Sequence, residues 1–98
     1  MSKKPTTAIE FHYDGKDYQI SPGDLTAVEA RDYRRTMGES LARTMTGGDI
    51  DIDVIATLVW LVDRRTSPGI SWESIADRMT YDAMTDVEID EGEPDPSG

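Results

Sequence analysis

The chain has 98 residues and a formal net charge of −10, from 20 acidic and 10 basic side chains, and it contains no cysteine. That length suits one domain with a modest core, and the missing thiols exclude disulfides, thiolate catalysis and cysteine-based metal sites. The acidity argues against nonspecific nucleic-acid binding, which needs cations to neutralise phosphates.

The acids are unevenly spread. Asp86, Glu88, Asp90, Glu91, Glu93 and Asp95 fall in a final stretch with no base, which leaves the remainder of the chain only mildly acidic. The longest apolar run, residues 54–62, is interrupted by Thr57 and is far below the roughly 20 residues that cross a bilayer. No apolar run of signal-peptide length follows the basic residues 1–7. A soluble, cytoplasmic protein without a membrane partner is expected.

Residues 1–7 are polar and lack an apolar anchor, so they read as disordered. Residues 8–20 read as a β-hairpin. Ala-Ile-Glu-Phe-His-Tyr alternates, Asp14-Gly15 supplies a two-residue turn, and Lys-Asp-Tyr-Gln-Ile follows. That turn places Tyr13 opposite Lys16, Phe11 opposite Tyr18 and Ile9 opposite Ile20. One face then carries Ile9, Phe11, Tyr13, Tyr18 and Ile20, and the other Glu10, His12, Asp17 and Gln19. A lone hairpin is marginal in water, so its apolar face must pack on the helices or on a partner.

After a turn at residues 21–25, Thr26 and Glu29 have the spacing of a capping box, which starts a helix over 26–37 that stops at Gly38. Its apolar positions, Val28, Tyr33 and Met37, make a narrow stripe on an otherwise solvated helix. A shorter helix over 39–45 brings in Leu41, and Gly47-Gly48 ends it. The next helix, over 51–65, has Asp49, Asp51 and Asp53 at its start and Arg64-Arg65 at its end, both suited to the helix dipole. Ile52, Val54, Ile55, Leu58, Val59, Trp60, Leu61 and Val62 make it apolar nearly all round. It should be the central helix, or else face another chain in part. A Ser-Pro-Gly corner leads to Ser71, a good N-cap, and Trp72, Ile75, Ala76 and Met79 form the stripe of a helix over 71–80. The acidic stretch 86–98 is expected to be disordered, with Met84, Val87 and Ile89 available for an extended segment near its start. The expected fold is therefore α+β, mainly α: an N-terminal β-hairpin followed by three to four short helices in one globular domain over 8–85.

Candidate chemistry is sparse. Asp49-Ile-Asp51-Ile-Asp53 resembles the opening of a calcium loop, but the sixth position is Val54 and the twelfth Trp60, where glycine and glutamate are needed. His12 is the sole histidine and faces Asp17; a catalytic reading needs a nucleophile beside it, and one histidine without cysteine leaves too few ligands for zinc. The residues fit an exposed cross-strand pair. Arg31, Arg34, Arg35, Arg64 and Arg65 are interleaved with Glu29, Asp32 and Asp63, a pattern of solvated helix faces rather than a nucleic-acid stripe. No enzymatic role, metal or cofactor is expected. Trp60 and Trp72 are either core residues or interface anchors, since tryptophan is enriched at binding hot spots. The candidate partner-binding residues are Phe11, Tyr13, Tyr18, Trp60, Arg64, Arg65, Trp72, Ile75 and Met79.

Taken in order, the hairpin, Leu25-Thr26-Ala27-Val28-Glu29-Ala30-Arg31, an acid-rich lead-in, Val59-Trp60-Leu61-Val62-Asp63-Arg64-Arg65, a proline corner and Ser71-Trp72-Glu73-Ser74-Ile75 form a recognisable series. Over about residues 10–90 it resembles the small tail assembly chaperones of long-tailed bacteriophages, especially those of actinobacterial hosts. The resemblance implies a noncatalytic protein of the host cytoplasm that binds the tape measure protein and keeps it soluble before the tail tube polymerises. It also implies help in recruiting tube subunits, absence from the finished virion and a longer, frameshifted form of the same product. A homo-oligomer is compatible with it. Two further readings are an acidic inhibitor that mimics nucleic acid and a minor virion component such as a head–tail connector.

Overall fold

Asp14 and Gly15 both take positive φ, 53° and 74°, as a two-residue hairpin turn requires. The turn joins β1 (Ala8–Tyr13) to β2 (Lys16–Ile20) in the expected register, with Ile9 opposite Ile20, Phe11 opposite Tyr18 and Tyr13 opposite Lys16. The computed structural model describes residues 8–48 and 50–90. The disorder expected for residues 1–7 and 91–98, and the role of Asp49, lie outside the described residues.

The hairpin gains a third strand, β3 (Met84–Asp90), antiparallel to β1 on the side away from β2, which gives the order β2-β1-β3. This corrects the expectation that the domain ends at 85 and that disorder starts at 86. A hairpin alone leaves the second edge of β1 without hydrogen-bond partners, and β3 supplies them, pairing Ile89 with Ile9 and Glu88 with Glu10. The ladder is irregular between Glu10 and His12, where Asp86 takes φ 58°.

Between β2 and β3 the chain forms a short 3₁₀ turn (Pro22–Asp24) and four helices: α1 (Ala27–Met37), α2 (Leu41–Gly47), α3 (Ile52–Asp63) and α4 (Trp72–Arg78). The Thr26–Glu29 capping box forms in both directions, at 3.2 and 2.9 Å, and α1 ends at Gly38 in the left-handed region. α2 starts two residues later than expected, because Ser40 caps it by accepting the Arg43 N–H while Glu39 accepts from the Thr44 hydroxyl. α3 ends at Asp63 rather than 65, and Arg64 and Arg65 lie in the following turn. Ser71 caps α4 as expected.

α3 is the central helix: Val54 through Val59 and Leu61 are all buried. Around it one core gathers the inward face of the sheet, Tyr33 of α1, Leu41 and Met45 of α2, and Ile75 and Met79 from α4 and its C-cap. On α1 the buried stripe runs through Glu29, Tyr33 and the partly buried Met37, spaced by four residues, with Asp32 beside it. Val28, expected in that stripe, points outward at 52 % exposure, because it lies about 100° around the helix from Glu29.

Candidate protein-interaction site

The apolar hairpin face is covered within the molecule. Phe11, Tyr13, Tyr18, Ile75 and Met79 are all buried, and Phe11 stacks on Tyr18 with ring centroids 4.9 Å apart. These five residues were candidates for gripping a partner; the structure corrects this by placing them in the core, where the helical layer meets the need of a bare hairpin for cover.

Four of the candidates remain at or near the surface, and the α3–α4 corner organises them. Trp60 and Trp72 are both partly buried. The Trp60 indole N–H donates to the Ile70 carbonyl at 3.2 Å, and the Trp72 indole N–H donates to the Thr57 hydroxyl oxygen at 3.0 Å. Thr57 in turn donates to the Asp53 carbonyl at 2.8 Å, and its hydroxyl lies 3.3 Å from the Met37 sulfur. Each indole therefore keeps its polar atom satisfied inside the fold while part of its ring faces water. That amphipathic placement suits an interface aromatic.

Arg64, one turn after Trp60, lays its guanidinium 4.5 Å from the ring centroid. The same group donates to Asp32 on α1 at 2.6 Å. The stacking and the ion pair together fix a side chain that otherwise carries much rotamer entropy. Asp32 is held below the usual carboxylate range, first by the Arg64 hydrogen bond and then by Arg31.

Arg65 grips Glu29 through both oxygens, at 2.7 Å each, and donates to the Asp24 carbonyl at 3.1 Å. The geometry is the bidentate fork that makes arginine–carboxylate pairs strong. Glu29 is buried and also completes the α1 cap. Its pKa is lowered to about 2, first by the Arg65 hydrogen bond and then by those from Thr26, against burial, which pushes the other way. The expectation of solvated arginine faces is thus corrected for Arg64, which is partly buried; Arg65 stays exposed, and the two together tie the end of α3 to α1. Arg34 and Arg35 are exposed as well.

Sequence reasoning missed Asp32, Thr57 and Ile70 as supports of this corner. The signal available was the spacing of Glu29 and Asp32 on one face of α1, opposite two consecutive arginines. On the outer face of the sheet, His12 and Asp17 meet as expected at 2.8 Å, with exposures of 43 % and 93 %. Solvent screens such a pair, unlike the buried carboxylate that orients a catalytic histidine. Among the described residues, no group of three or more His, Cys, Asp or Glu could hold a metal ion. No described helix is long and apolar enough to cross a membrane. Comparison with protein-family models, with curated proteins and with solved structures found no match.

Proposed function

We propose that this chain is a noncatalytic protein-binding factor that holds another polypeptide against its Trp60–Arg64–Trp72 corner. With the sequence resemblance, the reading becomes specific: a phage tail assembly chaperone that binds the tape measure protein in the host cytoplasm, helps to recruit tail tube subunits and stays out of the mature virion. A longer, frameshifted form of the product would share the same corner. The observation that carries the reading is the pair of indoles whose N–H groups are satisfied internally while their rings stay partly open, with a guanidinium held over one of them. Tryptophan and arginine are the residues most often found to dominate interface energetics.

The test is co-production with the tape measure protein. Wild type should keep that protein soluble and co-purify with it. Trp60→Ala, folded by circular dichroism, should lose most of the co-purification. Aggregation of the tape measure protein regardless of this chain would refute the reading.

One observation favours a second reading, the acidic inhibitor that mimics nucleic acid. Glu10, Asp17, Asp86 and Glu88 line one shallow recess on the sheet, which places carboxylates on a rigid element. This reading requires salt-sensitive binding to a DNA-binding enzyme, weakened by Asp17→Asn with Glu88→Gln and unaffected by Trp60→Ala.

A further inference from the structure

β2 has a strand on one side only. A two-residue hairpin turn makes Tyr13 and Lys16 a hydrogen-bonded pair, and the antiparallel alternation then aims the backbone groups of Lys16, Tyr18 and Ile20 at β1. The N–H and C=O groups of Asp17 and Gln19 point the other way. Among the described residues, no backbone group outside the β1 ladder bonds to either of them.

This edge borders a groove. A cleft of about 530 Å³ runs between β2 and a facing wall made of Asp24, Val62, Asp63, Arg65 and Thr66. Val62, partly buried, gives that wall an apolar patch. Along the cleft acids outnumber bases, Asp17, Asp24 and Asp63 against Lys16 and Arg65. Arg65 is engaged by Glu29 and also donates to the Asp24 carbonyl. The Asp63 carboxylate accepts only from the neutral Tyr18 hydroxyl, and the Asp24 carboxylate from the Ser21 N–H. Neither aspartate forms an ion pair among the described residues. An open strand edge facing a helix end across a partly apolar groove is the setting in which extended peptides add to a sheet. The other edge, on β3, lacks this character: its ladder is irregular at Asp86, and acidic residues flank the break, both of which discourage pairing.

We propose that the groove between β2 and the C-terminal end of α3 is a docking site for an extended, lysine- or arginine-bearing segment of a partner protein, which adds as a strand along Asp17–Gln19, sets an apolar side chain against Val62 and aims its cation at Asp24 and Asp63. The choice of a basic segment follows from the two unpaired aspartates and from the −10 charge of the whole chain. The site is separate from the indole corner and stands or falls independently of it.

The test uses the full chain, isotope-labelled for NMR, titrated with the blocked hexapeptide Val-Thr-Lys-Thr-Val-Thr, whose valines and lysine share one face of an extended strand. The expected result is saturable shifts of the Asp17 and Gln19 amides, together with slowed hydrogen exchange at both. Methylating the peptide backbone nitrogens that face β2 should weaken binding about tenfold or more, the loss expected from one or more main-chain hydrogen bonds. This control leaves the protein untouched. Gln19→Pro, which removes an outward N–H and leaves the hydrogen bonds to β1 in place while fixing the local φ, should weaken binding similarly, and the same peptide with glutamate in place of lysine should not bind. Three results would overturn the proposal: no shift at the β2 amides, equal binding of the methylated peptide, or concentration-dependent shifts of the same amides without peptide, which would assign the edge to a second copy of this chain.

Discussion

Glu29→Gln separates the charge of this side chain from its capping role. Glutamine fits a capping box as well as glutamate does, so the start of α1 should survive, while the ion pair with Arg65 is lost. Glu29 has its pKa near 2 in the folded chain against about 4.3 in an unfolded one, a difference worth about 3 kcal/mol at neutral pH. The Arg65 side chain is 43 % exposed, so water replaces part of what it loses, and the net destabilisation should be about 1–2 kcal/mol. For a domain of this size that lowers Tm by about 5–15 °C. Because the folded pKa lies below the unfolded one, the contribution is complete above about pH 4.3 and disappears as pH falls toward about 2. Thermal melts followed by circular dichroism at pH 7 and pH 3 should show a wild-type advantage that shrinks to less than half at the lower pH. Asp32 and Asp51, also held below their ordinary range by hydrogen bonds, from Arg64 and Tyr81 respectively, titrate in both proteins and cancel in the comparison. An unchanged Tm at pH 7, or a gap that persists undiminished at pH 3, would refute the reasoning.

Three further outcomes follow from the same geometry. Tyr33 is fully buried and donates to Thr44 at 2.8 Å; Tyr33→Phe should cost about 1 kcal/mol in urea denaturation. Gly38 holds φ at 85° with nothing within 4 Å of a Cβ added there, so Gly38→Ala should cost about 1 kcal/mol through backbone conformation alone. The Tyr18 phenol is pushed up by burial first and then by the charge of Asp63. Above about pH 10 the unfolded phenol ionises while the folded one does not, so stability should fall with rising pH there, and Tyr18→Phe should flatten that fall in melts at alkaline pH.

What the sequence disclosed were local features. The Asp14-Gly15 turn fixed five cross-strand pairs, each present in the ladder, because a two-residue turn leaves no freedom of register. Thr26 with Glu29, and Ser71, marked helix starts through contacts within one turn. What stayed hidden depends on distant partners. β3 is masked by its acidic composition and by Asp86, whose positive φ breaks the alternation around Val87 and Ile89; it is a strand because β1 has an edge to complete. Arg64 meets Asp32 and Arg65 meets Glu29 across more than thirty residues of chain, and nothing in a local pattern of alternating charges distinguishes such clamps from solvated faces. The hairpin face was visibly apolar, but alternation cannot tell whether helices of the same chain or a partner cover it.

The indole corner is shaped by the same logic. Each tryptophan looked like core by its neighbours and like an anchor by its type, and the fold gives each a share of both, with the N–H held inside and the ring partly outside. The carboxylate of Asp32 and the ring of Trp60 hold Arg64 in place within the chain itself, which under the proposed function would lower the entropy cost of binding.

The most direct measurement is tryptophan emission from the Trp72→Phe variant, in which Trp60 is the sole reporter, during titration with the tape measure protein. If the corner grips that partner, emission should move to shorter wavelength and saturate as the Trp60 ring loses its remaining contact with water. A complex that forms with the emission unmoved, or the absence of any complex with the unsubstituted chain, would contradict the account.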